Sequence, residues 1–290
     1  MPITFESLRC LCAVADAGGF HEAARQLGRS QPAISQQIKG LEAAAGGALV
    51  ARRGGRLTPL GEVYARRGRE LLAARARLER EAADFDEAST HPLRLGASDT
   101  YAAHYLPAAL GRLLAAHPAA RVSVVNRPSA TLEAQVLAGT LDLAVVTQPS
   151  RSPGLEVRPL FSARLQLAVP AAHRLTARQR VGLPALQGEP YLQLDPDTRT
   201  GGAVRATLET AGIAPRVVLD AGSFAVLLGY VAEGLGVALV PAIALRDAAP
   251  GIVALGVRGA PTLDAAVVRP AGAYATRLER TLLASLPRGG

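Results

Sequence analysis

The sequence predicts a multidomain α+β chain: an N-terminal winged helix-turn-helix, one long linker helix, and a larger C-terminal α/β domain made of two lobes. Three observations predict it. A chain of 290 residues is too long for one small core. Residues 1–58 carry three short amphipathic patterns and an arginine-rich turn, and residues 59–88 carry a single long one. From residue 89 to 290, short apolar runs alternate with amphipathic helical patterns, which is how an α/β domain is written.

Composition supports folding but decides little about function. Hydrophobic residues make up 49% and charged residues 19%, so apolar surface is plentiful and global disorder is excluded. The formal charge is +8, and Lys39 is the only lysine. Such an arginine bias follows from high-GC coding as readily as from phosphate binding, so charge alone is weak evidence. Cys10 and Cys12 are two apart on a helical pattern and point to different faces, so they read as reduced packing residues. No segment has the order of a signal peptide and no run of 18 apolar residues occurs, which predicts a cytoplasmic protein without a membrane partner.

Thr4 can cap a first helix with apolar Phe5, Leu8, Leu11, Cys12 and Ala15 at three- and four-residue spacing, stopped by Gly18 and Gly19. Phe20, Ala23, Ala24 and Leu27 repeat that spacing in a second helix, ended by Gly28. Ser30 as N-cap and Pro32 in the first turn start a third, running to about Leu41. Ile34, Ile38 and Leu41 fall on one stripe and close a tri-helical core. The opposite stripe carries Gln31, Pro32, Ser35, Gln36 and Lys39, residues suited to the major groove: Gln and Ser to base edges, Lys to phosphate. On this segment alone, a plain solvent-facing stripe is an equal alternative.

Context follows in the run from Leu49 to Glu62. Leu49 to Arg53 and Arg56 to Thr58 read as two short strands about a Gly54-Gly55 turn, a wing with Arg52, Arg53 and Arg56 around its tip. Guanidinium groups there suit phosphates or a narrow minor groove. Thr58 and Pro59 then mark a helix start whose N–H groups can also meet a phosphate. That helix is expected to run to about Glu87, with Tyr64, Leu71, Leu78 and Phe85 at seven-residue intervals, although Arg67 and Glu81 interrupt the accompanying seam. It reads as a dimerising stalk, which predicts twofold half-sites on double-stranded DNA.

The run FHEAARQLGRSQPAISQQIKGLEAAAGGALVARRGGRLTPLGE, residues 20–62, resembles the N-terminal signature of LysR-type transcriptional regulators. The resemblance implies that the third helix enters the major groove, placing Gln31, Pro32, Ser35 and Gln36 at DNA and Arg53 on the wing. Two departures stand out. Gly19 stands where the family usually has Ser, which removes a helix cap or phosphate contact, and Val50-Ala51 replace a Phe and an acidic or polar residue.

In the second half, strands are expected at Leu93–Ala97, Val122–Val125, Leu141–Val146, Leu165–Val169, Tyr191–Leu194, Val217–Leu219, Val237–Val240 and Ala265–Val268, in mainly parallel sheets. Helices are expected at Pro107–Ala116, Ala130–Ala138, Gly202–Ala211, Phe224–Glu233 and Tyr274–Ser285. Open sheets bind ligands beyond the carboxyl ends of their strands. There the chain places Ser98 and Thr100; Ser129 and Thr131; Thr147; and, after the Tyr191 run, Asp195, Thr198, Arg199 and Thr200. For each hydroxyl, a simple helix cap is the alternative. The segments LRLGAS, LAGTLDLAVV and VAEGLGVALVP resemble the effector domain of the same family. This implies the type 2 periplasmic-binding-protein fold, with lobe one about 92–164 and 268–290 and lobe two about 165–267. It also implies tetramers, and a small-molecule effector near Ser98, Thr100, Ser129, Thr147 and Thr200. Thr131, Gln193 and Ser223 complete the candidate effector set, and Arg127 and Arg199 point to an anionic metabolite.

Other classes fit poorly. Gly96-Ala97-Ser98-Asp99-Thr100 lacks the second Gly of a hydrolase elbow. The five histidines have no paired metal spacing, and GLGVAL near Gly234 lacks the third Gly of a dinucleotide fingerprint, so no enzyme, metal or cofactor is expected. A free-standing solute-binding protein needs no reading head. Two readings of the second half stay open at this point, an effector sensor and a silent dimerisation module.

Overall fold

The computed structural model describes residues 2–51, 55–85, 91–246 and 248–287. They fall into two compact units, Met1–Glu87 with Leu137–Thr140, and Ala88–Val136 with Leu141–Gly290.

The first unit opens with α1 (Phe5–Ala17), α2 (Phe20–Leu27) and α3 (Gln31–Ala45). Thr4 Oγ1 accepts from the Ser7 amide at 3.1 Å while Ser7 Oγ accepts from the Thr4 amide at 3.2 Å, a reciprocal cap that satisfies two otherwise orphaned donors. Each of the three helices ends on a left-handed glycine, Gly18, Gly28 and Gly46. The third helix runs past the expected Leu41 because Ala43–Ala45 favour helix and only Gly46 stops it. Leu11, Val14, Ile34, Ile38, Leu41 and Leu49 are buried in one core, and burial of each large aliphatic side chain contributes about 1.5–3 kcal/mol.

The turn after α3 is pinned by Glu42, whose Oε1 accepts from the Leu49 and Val50 amides at 2.8 and 3.2 Å. The described part of the expected wing is a single antiparallel bridge, Val50 to Leu57. Ala51 N donates to Arg56 O at 2.7 Å and Thr58 N to Leu49 O at 2.9 Å. Arg52, Arg53 and Gly54 lie outside the described residues. The long helix, α4 (Pro59–Ala83), starts on the Thr58 cap and ends short of the expected Glu87, which itself lies outside the described residues. Its Ala65 and Gly68 pack on α1, where small residues allow close approach: Cys12 Sγ donates to Ala65 O at 3.5 Å. Gly61 admits no Cβ, because one would sit 1.9 Å from Leu49 O. Leu71 and Leu78 stand 50% and 66% exposed along the same helix, whereas Phe85, expected on the same seam, lies past the Asp84 cap in a turn and is 82% exposed.

The second unit contains, in order, β1 (Leu93–Ala97), α5 (Asp99–His104), α6 (Leu106–Ala116), β2 (Val122–Asn126), α7 (Ser129–Leu137), β3 (Leu143–Thr147) and β4 (Leu155–Pro170). β5 (Arg180–Gly182), β6 (Pro190–Leu194), α8 (Arg199–Thr210), β7 (Arg216–Ala221), α9 (Phe224–Ala232), β8 (Ala238–Pro241), β9 (Ile252–Arg258), β10 (Thr262–Pro270) and α10 (Arg277–Ser285) follow. The main sheet has the order β2-β1-β3-β10-β4-β9-β5 with β8 also on β4, and β6 pairs with β7. β2-β1-β3, β5-β9 and β6-β7 are parallel, but β10 lies antiparallel between β3 and β4, and β8 and β9 are antiparallel to β4. The sheet is therefore mixed where mainly parallel pairing was expected. The reason is that β4 leaves one lobe for the other and β10 returns, and a returning strand must run opposite to the outgoing one.

Two cores flank this crossing. Leu95, Leu113, Leu143, Val145, Val267 and Leu282 fill the first lobe, and Leu167, Leu192, Leu227, Val231 and Leu239 the second. β4 serves both, with Leu160 in the first and Leu165, Leu167 and Val169 in the second.

Candidate functional site

In the first unit, α3 displays the stripe expected of a reading helix. Gln31, Pro32, Gln36 and Lys39 are exposed and Ser35 is half-buried, while Ile34 and Ile38 on the opposite stripe are buried. Ser30 Oγ accepts from Ala33 N at 3.4 Å, so the cap holds the helix start and leaves the Gln31 and Gln36 amides unengaged by it. Arg56 is exposed beside the Val50–Leu57 bridge. Thr58 is already occupied: its hydroxyl donates to Ala48 O at 2.7 Å and accepts from Gly61 N at 3.0 Å, which makes it a helix cap first. At α2, the departure at Gly19 has its expected consequence, since that helix has no side-chain cap.

The second unit has a cleft of about 170 Å³ between its lobes. Ser98, Thr100, Ser129 and Thr147 line it from the first lobe, and Thr200, Ser223 and Phe224 from the second, with Arg127 and Arg199 at its sides. The starts of α7, α8 and α9 meet there, and helix starts present unpaired N–H groups that favour negative charge. Two residues of the expected set lie elsewhere. Thr131 is two positions into α7, about 200° around the helix from Ser129, and is exposed to solvent. Gln193 alternates with Leu194 on β6, so Leu194 lines the cleft while Gln193 Nε2 donates to Asp220 Oδ1 at 2.7 Å on the other face.

The cleft's polar groups are held in place before any ligand arrives. Thr147 N donates to Ser129 Oγ at 3.0 Å, and Thr147 Oγ1 donates to the Tyr101 hydroxyl at 3.4 Å. Burial pushes the Tyr101 phenol up to about 12, so it stays neutral at physiological pH. Ser98 Oγ is buried without any hydrogen-bond partner, an unusual state for a native hydroxyl and one that a ligand atom would resolve. Asp99 and Arg127 supply opposite charges at the first-lobe rim, where Asn126 joins them: its Nδ2 donates to Asp99 at 3.3 Å and its carbonyl accepts from Arg127 at 2.7 Å.

Residues 5–62 match the family model for the "Bacterial regulatory helix-turn-helix protein, lysR family", and residues 86–289 match "LysR substrate binding domain". The chain belongs to the LysR family. It is a LysR-type transcriptional regulator, a protein that binds promoter DNA and responds to a small-molecule effector. It is 33% identical over 249 residues to a "Probable hydrogen peroxide-inducible genes activator" of Mycobacterium avium, an alignment that spans 82% of this chain and 78% of the relative. A full-length OxyR variant from Pseudomonas aeruginosa superposes with a TM-score of 0.74 at 24% identity, over 98% of this chain and 95% of that one. Full-length CbnR complexed with its target DNA superposes with a TM-score of 0.66, also at 24% identity, over 98% and 99% of the two chains.

Sequence reasoning missed several parts of this LysR regulator's sites. Leu194, Gly222 and Phe224 line the cleft, but as apolar or small residues at element ends they carry no chemical signal in the sequence. Glu133, the partner of Arg199, and Ser150, which donates to Glu133, are far from Arg199 in the chain, and the sequence does not state that the fold brings them together. Among the described residues no group of three or more His, Cys, Asp or Glu is placed to hold a metal ion, and no helix is long and apolar enough to cross a membrane.

Proposed function

We propose that this LysR regulator reads its operator with Gln31, Pro32, Ser35 and Gln36 in the major groove. Lys39, Arg53 and Arg56 meet phosphates, and Thr58 caps the neighbouring helix. The domains are a head at 1–58, a linker helix at 59–88 and an effector domain at 89–290. The exposed Leu71 and Leu78 of α4, with Phe85 just past its end, support a homodimer through that helix, and the family resemblance supports a homotetramer built from two such dimers. The protein works in the cytoplasm as a regulator rather than an enzyme and carries no cofactor.

The effector sits between the lobes, bound by Ser98, Thr100, Ser129, Thr147, Thr200 and Ser223, with an anionic group toward Arg127 and Arg199. The observation that carries this reading is the meeting of three helix starts around the partnerless Ser98 hydroxyl. Peroxide sensing by a thiol in this domain is not part of it. The only cysteines, Cys10 and Cys12, are buried in α1, and burial raises both thiols, Cys12 to about 11. An electrophoretic mobility assay on the DNA upstream of its own gene tests the whole reading. The expected result is a salt-sensitive, specific complex at nanomolar protein whose mobility or affinity changes with an effector; absence of any specific complex overturns it.

A further inference from the structure

Beside the cleft, one side chain of the second lobe is anchored in the first. Arg199, the first residue of α8, pairs through both terminal nitrogens with the carboxylate of Glu133 on α7: Nη1 meets Oε1, and Nη2 donates to Oε2 at 2.7 Å. Nη1 also donates to Gln148 O at 3.2 Å. Glu133 is 3% exposed, and Ser150 supports it with two more bonds, N to Oε1 at 2.9 Å and Oγ to Oε2 at 2.5 Å. Gln148 stands at the end of β3 with φ 50, the only non-glycine with a positive φ among the described residues. Its own amide and side chain donate to Asp264 O at 2.8 Å and Thr262 O at 3.0 Å of the returning strand β10. The tie therefore joins both lobes and the crossing strands, yet Arg199 also lines the cleft.

We propose that Arg199 couples effector binding to the arrangement of the lobes: an anionic group of the effector competes with Glu133 for its guanidinium, and winning that competition loosens the tie. The inference rests on the cleft being the effector site and adds how that site is regulated. Two carboxylates on one guanidinium repel each other, so Glu133 holds down the affinity for an acidic ligand, and the ligand in turn weakens the Glu133 bond by the same factor. When Arg199 leaves, Glu133 keeps its two Ser150 donors, so the released carboxylate is not stranded without hydrogen bonds. The alternative role, in which Glu133 merely positions Arg199 for the ligand, predicts the opposite sign.

The test is calorimetric titration of the full-length protein with succinate and with inorganic sulfate at low ionic strength. Glu133→Gln, which keeps the shape and removes the charge, is expected to bind either probe about tenfold more tightly than wild type, within the ordinary range of such couplings. Arg199→Gln is expected to lose anion binding. Arg127→Gln is expected to weaken binding by the same factor with Glu133 or with Gln at 133, since it stands outside the tie. Thermal unfolding checks that each variant folds, and Glu133→Ala, which also removes the charge, carries the same expectation should Glu133→Gln fail to fold. Unchanged or weaker binding in the Glu133 variant, binding that survives Arg199→Gln, or no binding to wild type or variant at millimolar probe would each overturn the proposal. A failed mobility assay on upstream DNA sinks the regulatory reading and leaves these binding results standing.

Discussion

Replacing Gly61 with Ala tests how the long helix is seated on the reading head. The added Cβ would lie 1.9 Å from Leu49 O and 2.9 Å from Leu49 C, both backbone atoms that no side-chain rotation can move. Real Cβ atoms essentially never come within 3.0 Å of such neighbours, so the start of α4 must retreat by about 1 Å. A retreat of that size stretches the Thr58 bonds to Ala48 O and Gly61 N, now 2.7 and 3.0 Å, beyond hydrogen-bond range. Losing the cap costs about 1 kcal/mol and the overpacking about 1–3 kcal/mol, about 3 kcal/mol together. Gly68→Ala in the same helix is the matched comparison. There the Cβ would meet side-chain atoms and no backbone, Leu8 Cδ2 at 3.3 Å, Cys12 Sγ at 3.5 Å and Leu8 Cβ at an ordinary 3.6 Å, and the gain in helix propensity of about 1 kcal/mol offsets the crowding. Hydrogen exchange of the Leu11 and Val14 amides in α1 reads the result in the intact protein. Exchange is expected to accelerate about a hundredfold in Gly61→Ala and to change little in Gly68→Ala. Equal exchange in Gly61→Ala and wild type would refute the claim that the start of α4 is seated directly on the Leu49 backbone.

Three further outcomes follow from the same geometry. Gln36→Ala is expected to cost about 1–3 kcal/mol on operator DNA and little on random DNA, whereas Arg56→Ala weakens both and lowers the salt slope by about one; fluorescence anisotropy over a salt series separates them, and equal losses on every sequence would contradict the assignment. Leu78→Glu, at a position 66% exposed in the single chain, is expected to weaken dimers by about 3–6 kcal/mol because a twofold seam counts each side chain twice; an unchanged mass by light scattering would count against α4 as the interface. Burial works to raise the Glu133 carboxyl, but the hydrogen bonds from Arg199 and Ser150 outweigh it and hold the group below the ordinary carboxylate range. A depressed carboxylate stabilises the fold above its unfolded pKa and loses that contribution as pH falls through the depressed value. Thermal midpoints are therefore expected to drop more steeply on acidification below the ordinary carboxylate pKa in wild type than in Glu133→Gln, and identical slopes would sink the attribution.

Much of the reading head was legible because its instructions are local. Thr4, Ser30 and Thr58 cap the helices they were expected to cap, and the apolar spacing of Leu11, Ile34, Ile38 and Leu41 marks the core. In the second unit Leu93–Ala97 was legible to the residue because it is a compact apolar run. β4 was legible only in its last third: Leu155–Arg164 mixes Glu156, Arg158, Pro159 and Arg164 with apolar residues, and only partners from two lobes make it one strand. β5 and β9 were missed, since Arg180–Gly182 is too short for a period to register and Ile252–Arg258 alternates weakly around Gly256. The cleft hydroxyls could be placed at strand ends by general rule, but which of two adjacent residues faces inward, as with Gln193 and Leu194, depends on pairing the sequence does not state.

The shared strand has an evolutionary consequence. With one continuous stretch of sixteen residues belonging to both hydrophobic centres, neither lobe can be cut out and inherited alone without stripping the other of a wall. Recombination can exchange an entire sensory half while a given reading head is kept. New ligand preferences within that half have to accumulate by substitution around the crevice, because half a sensor is not a separable part.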